Sequence, residues 1–173
     1  MSYLMLVSDI APTPSFTGGI VLEQLVKTLQ NCRIDMRILV DNDMSDYRIS
    51  KDSNLGEVLW FIKPNEGWNK TSKYLIQFGE WFATKESKSI STVILRDISR
   101  NRPDHLVFAI QGQSSIRIAN DLIKTGIPYT CIHWDPWTWW AKEHNVPANI
   151  NQEISALYAQ INSGGFHLSL IHI

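Results

Sequence analysis

Apolar residues in this chain occur in two kinds of run. Short continuous blocks are bounded by proline, glycine or acidic residues, and longer stretches repeat their apolar positions at helical spacing. The first block runs from Tyr3 to Asp9, and Pro12, Pro14 and Gly18-Gly19 follow it. Ile20, Leu25, Val26 and Leu29 then mark a helical face, so a strand feeds a helix through a glycine-bearing turn. Ile34 to Val40 reads as a second strand, 41–55 as a polar exposed loop, and Glu57 to Ile62 as a third strand stopped by Pro64. From Thr71 to Glu86 the spacing predicts a helix with Tyr74, Leu75, Phe78, Trp81 and Phe82 on one face. A separate helix is expected from Ser91 to Arg100, with Val93, Ile94, Leu95 and Ile98 as its apolar positions.

Pro103-Asp104-His105 introduces Leu106 to Ile110, a run apolar enough for a parallel strand covered on both faces. Ser114 or Ser115 can cap a helix through Lys124, Gly126 ends it, and Ile127 to Ile132 is the next strand. Asn151 to Ile161 reads as a last helix, and Ser163 to His167 as the entry to one more strand. Parallel strands need crossovers of this kind, so the expected fold is α/β, a Rossmann-like open parallel sheet with helices on both faces. Ligands of such sheets lie beyond the carboxyl ends of the strands. That rule places the Asp9–Gly19 loop, Gln111-Gly-Gln113 and His133-Trp-Asp135 on one rim.

Composition narrows the field. At 173 residues, 44% hydrophobic and 19% charged, the chain suits one globular domain and not a disordered one. A formal net charge of −1 gives no global attraction to nucleic acid or to an anionic membrane, so either partner would need a local patch. No basic region and apolar segment precede the first strand and no stretch is long enough to span a bilayer, so a cytoplasmic location is expected. Cys32 and Cys131 suit neither a CxxC metal site nor a disulfide framework and read as small buried apolar residues.

His133 to Trp140 is the least ordinary stretch, with four of the seven tryptophans. Indole faces stack on sugar rings or bases, and the indole N–H donates to hydroxyl or phosphate oxygens. Alternatively the tryptophans plug a loop onto the sheet. His133 can serve a substrate hydroxyl or phosphate, with Asp135 orienting it or meeting a polar ligand, or be structural. Gly18 and Gly19 allow backbone N–H groups near a helix N-terminus to meet a phosphate, or simply let strand and helix pack closely. Lys70, Lys73, Lys85 and Lys88 flank the aromatic helix face, giving two readings of 71–88: peripheral contact with a membrane, or packing against the parent domain. A GxGxxG, a P-loop and a Gly-x-Ser-x-Gly elbow are all missing. A response-regulator reading of Asp9 fails because Phe61-Ile-Lys63 stands where an acceptor aspartate is needed.

Taken together, Val7-Ser-Asp-Ile-Ala-Pro-Thr-Pro with Gly18-Gly19-Ile20, Pro103-Asp104 before an apolar strand, and Gly126-Ile127-Pro128 before a strand ending Ile132-His133 resemble the N-terminal domain of GT-B glycosyltransferases of the retaining family-four group. The resemblance implies a nucleotide-sugar donor, a glycan or lipid-linked acceptor, and no metal or further cofactor. It implies His133 at the family's active-site histidine and Gly18 and Gly19 beside donor phosphate. Asp135, Trp134, Trp137 and Gln111 then shape the acceptor or sugar pocket. Members of that family carry a second Rossmann domain with paired glutamates, which this chain lacks, so residues 1–167 are expected to be an acceptor-side lobe, inactive alone. Leu168 to Ile173 is the translation of CTG TCT CTT ATA CAC ATC, which resembles a transposase adapter used in preparing sequencing libraries, and the expectation is an artefactual tail. A genuine short strand is the other reading. The rivals to the glycosyltransferase reading are a non-catalytic sugar- or nucleotide-binding module and a membrane-surface adaptor.

Overall fold

A computed structural model describes residues 2–13, 17–40, 55–64 and 73–169. The loop expected over 41–55 lies almost wholly outside these residues, as do Pro14, Lys70 and 170–173. Strands β1 (Ser2–Ser8), β2 (Cys32–Val40), β3 (Leu55–Ile62), β4 (His105–Ile110), β5 (Tyr129–His133) and β6 (Phe166–Ser169) form one sheet in the order β3-β2-β1-β4-β5-β6. Every neighbouring pair is parallel. Its strand order reverses between β1 and β4, the point at which a doubly wound sheet opens a crevice at its carboxyl edge.

Helices cover both faces, as the alternation of strands and helices predicts. On one face α1 (Thr17–Thr28) buries Leu22 and Val26 against Leu6, Met36, Ile38 and Val107. On the other, α2 (Lys73–Arg100), α3 (Gln113–Leu122), α4 (Trp137–Glu143) and α5 (Ala148–Gly164) pack over Met5, Val7, Leu39, Phe108 and Cys131. A 3-10 turn at Ile123–Thr125 ends α3, and Gly126 takes the left-handed conformation (φ 68°) that closes it. Cys131 is fully buried, and burial pushes its thiol up to about 12. Cys32, expected to be buried as well, is only half-buried.

Three elements differ from the sequence expectation. Ile20 is exposed, and Leu22 supplies the buried position in its place. The two helices expected over 71–100 are one, because nothing between Glu86 and Ser91 breaks a helix and Ser91 Oγ donates to the Ser87 carbonyl within it. The tryptophan segment, read as a loop, contains α4, which starts directly after Pro136. Proline fits there because the first helical N–H groups need no partner inside the helix.

On β2 the face toward α2 is charged over its first half. Arg37, 1% exposed, donates to Glu57 Oε2 at 2.7 Å and Asp97 Oδ2 at 3.2 Å. Asp35, 2% exposed, accepts from the Tyr3 hydroxyl, the Arg33 guanidinium and the Glu57 N–H. Burial, then the Asp35 hydrogen bond, push the Tyr3 phenol up to about 12. Three acids and two guanidiniums thus fix the amino-terminal half of the sheet to α2, away from the carboxyl rim.

Candidate functional site

Three loops converge at the carboxyl ends of β1, β4 and β5. Their shared anchor is Asp9, which follows β1. Its Oδ2 accepts from the backbone N–H of Gln111 at 3.1 Å, the N–H of Gly112 at 2.9 Å and Ser115 Oγ at 2.8 Å. One carboxylate therefore straps the end of β1 to the turn between β4 and α3, across the point where strand order reverses. Charge-assisted bonds of this kind are about twice as strong as neutral ones. Asp9 Oδ1 is enclosed and has no hydrogen-bond partner among the described residues. In the sequence Asp9 belongs to the rim loop and to the rejected response-regulator reading, and its strapping role is hidden because its partners stand 102 to 106 residues away.

His133 is the last residue of β5, beside Ile110 of β4, and is 6% exposed. Its Nδ1 lies 3.1 Å from the Tyr158 hydroxyl of α5, and the rings meet edge to face at 5.1 Å between centroids. Tyr158 therefore fixes the orientation of the imidazole. Burial raises the Tyr158 pKa above its ordinary value. Asp135 and Trp134 follow on the same rim, both half-buried. Trp134 packs toward the α1 side of the core, with its Nε1 enclosed and unpartnered among the described residues. Gln111, at the end of β4, is tied through its backbone to Asp9 and its side chain is half-buried.

Trp137 does not line a pocket. It is 1% exposed, stacks on Trp140 at 5.3 Å and donates through Nε1 to Asn151 Oδ1 at 2.8 Å. The assignment of Trp137 to the acceptor pocket is therefore corrected. It is a core residue that pins α4 to α5, because the helix turns it inward while Trp139 points out, 50% exposed.

Gly18 and Gly19 sit in the first turn of α1, Gly18 half-buried and Gly19 buried. A Cβ on Gly19 would overlap the Thr13 carbonyl and come within 2.8 Å of the Ala11 carbonyl and 2.9 Å of the Thr13 nitrogen. These are backbone atoms and cannot rotate away, so close packing of loop and helix explains this glycine without a ligand. Gly19→Ala is expected to cost about 1–3 kcal/mol of stability, read as a lower urea midpoint of the ligand-free protein. An unchanged midpoint would remove the packing account.

Behind the rim, Glu80 of α2 accepts from Arg117 and, at 3.2 Å, from Gln113 Nε2. Arg117 also meets Glu153 of α5 at 3.2 Å, so one buried arginine joins α2, α3 and α5. None of these three residues stood out in the sequence, where each is an ordinary charge on a helix. His105 opens β4 at the opposite edge, its Nε2 2.9 Å from Thr130 Oγ1, and burial lowers its pKa. Among the described residues no group of three or more His, Cys, Asp or Glu is placed to hold a metal ion.

No protein-family model matches the chain, and no curated protein matches it in sequence. Solved structures similar to it include a UDP-glucosyltransferase from Polygonum tinctorium capable of glucosylating indoxyl (12% identity, TM-score 0.45), matched over 79% of this chain and 30% of that one. Phytolacca americana UGT2 complexed with UDP-2fluoro-glucose and pterostilbene matches over 79% and 31% (10% identity, TM-score 0.49). Apo UGT2 from the same plant matches over 80% and 30% (10% identity, TM-score 0.45). The chain thus spans less than a third of the length of each.

Proposed function

We propose that this chain is the acceptor-side lobe of a two-lobed glycosyltransferase that moves a hexosyl group from a nucleotide sugar to an acceptor hydroxyl. The observation that carries the reading is His133, at the carboxyl end of β5, its imidazole oriented by the Tyr158 hydroxyl on the rim where parallel sheets bind ligands. A ring fixed before substrate arrives donates to a sugar hydroxyl without reorganising during the reaction. Asp135, Trp134 and Gln111 border the same edge and supply the acceptor side. The Gly18 N–H and the positive end of α1 face the donor phosphate, while Gly19 keeps the preceding loop close.

In the proposed reaction the bond between the anomeric carbon and the phosphate oxygen breaks. A bond to the acceptor oxygen forms, the acceptor proton is lost, and the nucleotide diphosphate leaves. The sequence resemblance adds retention of anomeric configuration, and it assigns most donor contacts to a second lobe. The test is nucleotide diphosphate release from a panel of nucleotide sugars, comparing this chain with the longer protein that includes such a lobe. Saturable release that rises with acceptor is expected from the longer protein only. Lack of release with every donor, together with saturable quenching of this chain's tryptophan fluorescence by sugar or nucleotide, would instead assign a non-catalytic binding module.

A further inference from the structure

The aromatic stripe of α2 faces away from the protein. Tyr74 is 82% exposed, Leu75 53%, Phe78 60%, Trp81 51% and Phe82 48%. What α2 buries fully is Ala83, Ser87 and Ser91, continuing to Ile94 and Ile98, while Ile76, Ile90 and Leu95 pack partly buried against the same core. Length explains the reversal. At 1.5 Å per residue the 28 residues of α2 run roughly 42 Å, whereas β4 spans roughly 20 Å. The carboxyl-terminal part of α2 packs on the sheet, and the amino-terminal part projects beyond its carboxyl edge. The stripe is one patch: Phe78 lies 6.0 Å from Trp81 and 5.6 Å from Phe82, and Trp81 lies 5.6 Å from Phe82. Contiguous exposed apolar surface of this kind marks an interaction site.

We propose that this projecting end of α2 docks on an anionic lipid bilayer. Its charge pattern selects that partner. Glu80, the one acid between Tyr74 and Lys85, turns inward to Arg117 and Gln113, so the stripe presents no outward carboxylate over that length. Lys85 stands within the stripe, its Nζ 4.1 Å over the Trp81 ring. Lys88 follows on the next turn, 66% exposed and bonded to Asp121, and exposed Glu86 is the first outward acid. Aromatic side chains settle at the headgroup level of a membrane while lysines meet its phosphates. From Tyr74 to Phe82 the stripe extends roughly 12 Å along the helix, and it enters sideways, to a depth of roughly 5–10 Å. No helix among the described residues is long and apolar enough to cross a membrane, so the contact is peripheral. A second copy fits less well, since two such faces would bring lysine-bearing stripes together.

The experiment is co-sedimentation of the protein with vesicles of phosphatidylcholine alone or in equal parts with phosphatidylglycerol. Wild type is expected to bind the mixed vesicles and to bind pure phosphatidylcholine less. Phe78→Ser with Trp81→Ser, at exposed positions and with an unchanged circular dichroism spectrum, should weaken partitioning about tenfold or more. Lys85→Glu should reduce binding to the mixed vesicles about fivefold or more. Failure of wild type to bind the mixed vesicles, or equal binding by the double variant, would overturn the proposal. So would a dimer on gel filtration that the double variant converts to monomer without vesicle binding. The readout involves no turnover, so the proposal and the glycosyltransferase reading fail separately.

Discussion

Trp137→Ala is expected to destabilise the protein by about 3–5 kcal/mol, seen as a large fall in the urea midpoint. Three losses combine. Among the described residues the largest fully buried side chain is removed, its stacking partner Trp140 loses one face, and Asn151 Oδ1 loses the indole donor while keeping Ser155 Oγ at 3.2 Å. The cavity opens between α4 and α5, the elements that support Tyr158 and through it His133. Trp139→Ala, two residues away and half exposed, is the control and should move stability by no more than about 0.5 kcal/mol. Equal midpoints for the two variants would show that Trp137 does not pin α4 to α5.

The contrast between these tryptophans shows what the sequence could reveal. Four indoles after a strand end suggest both a sugar-stacking loop and a hydrophobic plug, and composition alone cannot divide them. Division follows from α4, whose helical turn sends Trp137 and Trp140 inward and Trp139 outward. Strands were more legible. Leu106 to Ile110 is apolar without alternation, and its shortness after Pro103 fits a strand covered on both faces; β4 is the strand beside β1 at the centre of the sheet.

Helix α2 illustrates the opposite case. Periodicity locates its aromatic stripe but does not say which way the stripe faces. Beside the stripe the fully buried positions are Ala83, Ser87 and Ser91, whose low hydrophobicity hides that part of the face, and the direction is set by how far the helix outruns the sheet. At the rim, the end of β5 was readable from Ile132-His133, so His133 could be singled out. Asp9 could not be joined to Ser115, nor His133 to Tyr158, because those hydrogen bonds link residues 106 and 25 positions apart. Gly19 carried a local signal with two meanings, and the backbone of Ala11 and Thr13 supplies the packing one.

His133 bears most directly on the proposed reaction. Removing a preorganised donor from the site of developing charge costs about 10²–10³-fold in turnover. Because His133 is 6% exposed and bonded to Tyr158, the substitution must be separated from a folding defect. Tyr158→Phe keeps the imidazole while removing its orienting hydroxyl, so it should lie between wild type and His133→Ala in turnover. The decisive measurement is the rate of nucleotide diphosphate release by the proposed two-lobed protein carrying His133→Ala, alongside its urea midpoint. A loss of about 10²-fold or more in a protein that remains folded is the result this account predicts. Turnover equal to wild type in that folded variant would contradict it.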